Sequence, residues 1–128
     1  MNRVAKLEDE QRKELASYYM ELIEPLGLDK GYKKSFEICA VLNMCSRDWR
    51  TIVENIMHLY MYNYVDKMVL GTPKGYLLTD DKELINKVLK AKEHQFKALA
   101  YNCYNLRKSI QHSDNYTIEE FLQDNLYN

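Results

Sequence analysis

Glycine and proline are scarce and confined. The 128-residue chain has 4 Gly and 2 Pro, and they fall in two places only: Pro25, Gly27 and Gly31, then Gly71, Pro73 and Gly75. Outside those places the chain lacks its two strongest breakers of regular structure, the pattern of a mostly helical protein punctuated twice. Cysteine is also sparse. Cys39, Cys45 and Cys103 are odd in number and show no C-x-x-C spacing, which argues against a disulfide framework and against a zinc knuckle, and fits a reducing cytoplasm.

Long apolar runs are missing as well. None approaches the roughly 18 residues of a membrane span, and the opening MNRVAKLEDEQRKEL is charged throughout, so neither a transmembrane segment nor a signal-peptide core is expected. There is no excess of positive charge: the formal net charge is −1, so binding to nucleic acid must rest on a local patch. Residues 30–75 do carry a net excess of three positive charges.

Signs of catalysis are absent too. No glycine-rich phosphate loop is present, and spacing singles out no carboxylate constellation. His58, His94 and His112 are far apart, none in metal-ligand spacing with another His or Cys, and read as surface residues. Neither Cys39 nor Cys45 has the basic and histidine neighbours of a nucleophile. The sequence therefore predicts no enzyme, no metal and no cofactor.

What is present is helical periodicity. With 46% hydrophobic residues the chain can bury one core, and the order of elements predicts a body over 1–79 and a helical extension over 80–128. From about Lys6 to Leu26, the residues Leu7, Leu15, Tyr18, Tyr19, Leu22 and Ile23 recur at helical spacing, and Pro25 with Gly27 supplies the stop. A polar turn over 29–34 leads to Ser35, an expected N-cap, and to the nearly all-apolar run Phe36 to Leu42, which reads as a short buried helix. The link Asn43-Met44-Cys45 precedes Ser46, a second expected cap, with Asp48 in the first turn of a third helix. There Trp49, Ile52, Val53, Ile56, Leu59 and Tyr60 recur at steps of three and four. Arg47, Arg50, Thr51, Glu54, Asn55 and His58 fall on other faces.

The stretch VLGTPKGYLLT, residues 69–79, sets turn residues between two short β-prone runs. It predicts a hairpin with strands near 66–70 and 76–79, after which Thr79, Asp80 and Asp81 cap a long last helix to about Ile110. Helix, short helix, three-residue turn, amphipathic helix and hairpin is the order in which a winged helix-turn-helix is assembled, the hairpin being the wing. The expected fold is thus mainly α, a winged helix-turn-helix of three helices and a two-stranded wing followed by a long C-terminal helix.

Ser46, Arg47, Arg50, Val53 and Ile56, then Val69, then Gly75, Tyr76 and Leu78, then Asp80, Asp81 and Glu83, form a pattern that resembles the winged-helix domains of small bacteriophage and prophage proteins of Gram-positive hosts. The likeness covers roughly residues 34–90. It departs from the usual pattern at Met57, where an Arg is common, and in the tyrosine-bearing span from Leu59 to Asp66, where a shorter glycine-containing link is usual. The resemblance implies a third helix that enters DNA and a wing that reaches an adjacent phosphate.

Arg47, Arg50, Thr51 and Glu54 on the third helix, with Lys74 at the wing tip, are accordingly the candidate contacts to double-stranded DNA. The plainer reading of the arginines is a solvated face with ion pairs to Asp48 and Glu54. Among the eleven tyrosines, Tyr60 reads as core, Tyr62 and Tyr64 as core or protein interface, and Tyr76 as packing for the wing.

In the last helix Ile85, Leu89, Lys92, Phe96, Leu99, Cys103, Leu106 and Ile110 step alternately by four and three, a heptad seam with one polar interruption. Either it packs along the first helix within one chain or it joins two copies, in which case Phe96, Leu99, Cys103, Leu106 and Ile110 form the homodimer interface. Thr117, Ile118, Phe121, Leu122 and Leu126 predict one more short amphipathic helix. Two functions stand against each other: a cytoplasmic DNA-binding regulator or replication accessory, and a protein-binding inhibitor of a host or defence complex that reuses the fold.

Overall fold

A computed structural model describes residues 3–111 together with Ile118 and Glu119. The expectations for His112, Thr117, Phe121, Leu122 and Leu126 lie outside the described residues. By contacts the chain divides into a body, Met1–Lys82, and a second unit, Glu83–Asn128.

Helix α1 runs Asp9–Ile23. Gln11 Oε1 accepts the Glu8 amide at 2.9 Å, one half of a capping box, and Asp9 and Glu10 in the first turn suit the positive end of the helix dipole. Its stop is as expected: a 3-10 turn, Glu24–Leu26, contains Pro25, and Gly27 follows at φ 62° in the left-handed region. A second 3-10 turn, Val4–Lys6, precedes α1 and buries Val4 completely, a core residue that no periodicity marked.

Helices α2, Ser35–Leu42, and α3, Ser46–Met61, are joined by Asn43, Met44 and Cys45, with Asn43 at φ 52°. Asparagine tolerates this left-handed conformation, and it ends α2 where glycine often would. Both expected caps are displaced by one residue. Lys34 and Cys45 hold the cap positions, and Ser35 and Ser46 are the first helical residues.

The expectation that α2 is buried is corrected. Ile38 is fully buried, but Phe36 is 73% and Val41 64% exposed. Eight residues make little more than two turns, and only the side carrying Ile38, Cys39 and Leu42 faces the core. On α3 the apolar phase holds, but Asn55, expected on another face, is buried as well and donates to the Tyr19 hydroxyl of α1 at 2.9 Å. Trp49, Ile56 and Leu59 are fully buried, and each such side chain stabilises the fold by about 1.5–3 kcal/mol relative to exposure.

Strands β1, Met68–Thr72, and β2, Gly75–Thr79, pair antiparallel from Met68 with Thr79 to Thr72 with Gly75. The loop is shorter than the sequence indicated, because Gly71 and Thr72 remain in the ladder. Thr72 Oγ1 donates to the Gly75 carbonyl at 2.9 Å and accepts the Lys74 amide at 3.1 Å, closing the turn around Pro73 and Lys74.

The outer edge of β2 does not face solvent alone. Tyr76 and Lys33 exchange backbone hydrogen bonds at 2.8 and 3.1 Å, and the Leu78 amide donates to the Leu28 carbonyl at 2.9 Å. The segment read from sequence as a polar turn thus supplies a short third strand position. The core gathers Tyr19 and Ile23 of α1, Leu26, Leu28, Ile38, Trp49, Ile56, Leu59 and Val69.

After β2, Thr79 Oγ1 accepts the Asp81 amide at 3.0 Å, and helix α4 follows, Lys82–Gln111. Its 30 residues span about 45 Å. Among the described residues no helix is long and apolar enough to cross a membrane.

Candidate nucleic-acid interface

The first turns of α3 present Arg47, Asp48, Arg50, Thr51 and Glu54 to solvent, because Trp49, Ile52, Val53 and Ile56 turn the opposite side inward. The ion pairs that a solvated face would show are not formed: among the described residues neither Arg47 nor Arg50 pairs with Asp48, Glu54 or any other carboxylate. Arg50 Nε donates instead to the Ser46 carbonyl at 3.4 Å, and the Thr51 hydroxyl donates to the Arg47 carbonyl at 3.1 Å. Thr51 is left with its oxygen as an acceptor only, which weakens it as a donor to phosphate.

Trp49 connects this turn to the hairpin. Its ring meets that of Tyr76 edge to face, centroids 5.4 Å apart at 84°, so the residue between the two arginines packs on the strand beside Lys74. Tyr76 thereby holds the hairpin on the helices, the packing role expected of it. The indole Nε1 has no hydrogen-bond partner in its buried position.

Lys74 is exposed at the hairpin tip, its ammonium 5.9 Å from the centre of the Tyr32 ring. Lys34, at the cap of α2, reaches the same tip and donates to the Pro73 carbonyl at 3.0 Å. Neither lysine pairs with a carboxylate among the described residues. Lys34 is the residue that sequence reasoning missed. It lies 39 positions from Pro73, and the pairing of Lys33 with Tyr76 carries it to the hairpin.

The tyrosine-bearing link has a structural use. The Arg12 guanidinium donates to the carbonyls of Val4 and Ala5 at 3.0 and 3.2 Å and lies 4.7 Å from the Tyr62 ring centre and 5.6 Å from that of Tyr64. The Tyr64 hydroxyl donates to Asp9 Oδ1 at 2.6 Å; that bond first, and Lys13 second, holds the Asp9 carboxyl below its ordinary range. Tyr60 is half-buried and donates to Asp80 Oδ1 at 2.9 Å, and Lys82 donates to both the Tyr60 hydroxyl and Asp80. Asp80 and then Tyr60 push the Lys82 ammonium up to about 12. These side chains fasten the end of α3 to α1 and to the start of α4.

His58 is not on the surface: it is 9% exposed, and its Nδ1 has no partner. Cys39 is half-buried against the core and Cys45 is exposed. No three His, Cys, Asp or Glu side chains among the described residues are grouped so as to hold a metal ion.

Of the expected α4 interface, Phe96 is 49% exposed, Leu99 63%, Leu106 63% and Ile110 70%, while Cys103 is half-buried. Comparison with family models, with curated proteins and with solved structures finds no match to this chain.

Proposed function

We propose that this chain is a non-catalytic winged-helix protein of the phage type that binds double-stranded DNA as a regulator or replication accessory, acting in the cytoplasm as a homodimer through α4. The supporting order is α1, a segment paired on the edge of β2, α2, a three-residue turn, α3 and the hairpin, the assembly of a winged helix-turn-helix.

One observation carries the DNA reading. Arg47, Arg50, Lys34 and Lys74 are exposed and without carboxylate partners among the described residues, two on the first turn of α3 and two at the wing tip, with Trp49 and Tyr76 joining the two elements. Unneutralised cations at a helix start and on a wing fit a phosphate backbone, where counterion release supplies affinity. Retardation of a random-sequence duplex at low salt tests it; failure of a folded protein to retard the duplex contradicts it.

A second reading is favoured by a different surface. Phe36 and Ala40, one turn apart, form an exposed apolar edge on α2, with exposed Val41 set off from it beyond Glu37, and the overall charge of −1 gives DNA no long-range attraction. On this reading the fold serves as a protein-binding inhibitor of a host or defence complex. Phe36→Asp then abolishes biological activity while leaving duplex retardation unchanged.

A further inference from the structure

Arg47, Arg50, Thr51 and Glu54 are all exposed and stand at i, i+3, i+4 and i+7 of α3, a single stripe opposite the buried Trp49 and Ile56. From Arg47 to Glu54 the helix rises about 10 Å, the length of about three stacked base pairs. The arginines suit a nucleic acid, but Glu54 does not suit its backbone: a carboxylate repels the phosphates that the arginines attract. Nor does it hold an arginine in place. The Glu54 carboxylate forms no ion pair or hydrogen bond among the described residues, and Arg50, one turn before it, places Nε on the Ser46 carbonyl at 3.4 Å. Asp48, the other acid of these turns, lies off the stripe at the positive end of the helix dipole, which accounts for its presence.

The floor of a major groove offers what the backbone does not. An ionised carboxylate only accepts hydrogen bonds, and the base edges there present two N–H donors, cytosine N4 and adenine N6. Adenine N6 sits beside the N7 acceptor, whose lone pair repels a carboxylate, whereas cytosine carries no second acceptor on that edge. Arginine makes the complementary choice, since its paired N–H groups match guanine O6 and N7. Arg47 and Arg50 therefore suit guanines, and Glu54 suits a cytosine within the same short run of base pairs.

We infer that Glu54 reads a cytosine amine in the major groove, so that the preferred duplex carries a cytosine within about three base pairs of the guanines that Arg47 and Arg50 contact. The inference rests on the proposed DNA binding and goes further by naming the base pairs preferred and the residue that selects one of them.

The test is selection of duplexes from a random pool by the full-length wild type and by Glu54→Gln, with the affinities of selected duplexes measured by fluorescence anisotropy. Glu54 is exposed, so the two proteins should share a denaturation midpoint. Wild type should enrich cytosine at one position close to guanine, favoured there about fivefold or more over the other bases. Glutamine both donates and accepts and matches adenine N6 and N7, so Glu54→Gln should exchange that cytosine for adenine and leave the guanine positions as they are. Uniformly tighter binding by Glu54→Gln with an unchanged preference shows a carboxylate that only repels phosphate and overturns the inference. A wild type that binds duplexes without enriching cytosine overturns it as well. Failure of the folded wild type to bind any duplex removes the DNA reading itself, and the inference with it.

Discussion

Lys33 and Tyr76 exchange both of their backbone hydrogen bonds, at 2.8 and 3.1 Å, and this antiparallel pair ties the hairpin to the segment before α2. It also explains Gly75. The residue holds φ at +124°, and a Cβ built there comes 2.5 Å from the Lys33 carbonyl oxygen, a backbone atom that cannot give way cheaply.

Gly75→Ala is therefore expected to cost about 2 kcal/mol or more, from the positive φ and the clash together. Gly31→Ala is the control, since nothing lies within 4 Å of its added Cβ. It should stay within about 0.5 kcal/mol of wild type or gain a little from a stiffer unfolded chain. Equal denaturation midpoints for the two variants would contradict the third strand position.

Ile56→Ala should cost about 2–5 kcal/mol, because the side chain is fully buried under the hairpin and its loss leaves a cavity. An unchanged urea midpoint would mean that the phase of α3 is wrong.

His58→Leu tests the opposite kind of burial. A buried imidazole nitrogen without a partner gives no hydrogen bond in return for its lost water, so an apolar residue of similar size should be neutral or stabilising. Destabilisation by more than about 1 kcal/mol would show that the nitrogen has a partner in solution.

Much of the body was legible in the sequence. The step of three and four in Trp49, Ile52, Val53, Ile56 and Leu59 set the buried face of α3, and Pro25 with Gly27 set the end of α1. What was not legible depends on partners distant in sequence. Val4 is core because Arg12 holds its turn by two carbonyls, and Lys34 reaches the hairpin tip because a segment read as polar pairs with β2. The apolar run of α2 misled because composition shows that residues are apolar and not how many faces of a two-turn helix meet the core. Tyr62 and Tyr64 were open between interface and packing, and only the position of Arg12 gives them their contacts.

Two carboxylates should shape the acid limb of stability. The folded-state values of Asp9 and Asp80 lie below the ordinary 3.8, so ionised Asp9 and Asp80 favour the fold. That contribution is complete above the ordinary value and disappears as pH falls through the lowered ones. Tyr64→Phe removes the larger cause at Asp9 and should flatten the loss of stability below about pH 4. At the alkaline end, Lys82 titrates near 12 and favours the fold until pH rises through that value. Asp80→Asn should return it toward 10.5 when followed by NMR, and an unchanged titration would contradict the Lys82–Asp80 contact.

The salt dependence of duplex binding, followed by fluorescence anisotropy on a random-sequence DNA, tests the proposed function most directly. Wild type should bind at low salt with an affinity that falls steeply as salt is raised, and the triple variant Arg47→Ala, Arg50→Ala, Lys74→Ala should bind more weakly with a log–log slope shallower by about three. A folded triple variant with the wild-type slope and affinity would contradict the account, because α3 and the wing would then take no part in holding DNA.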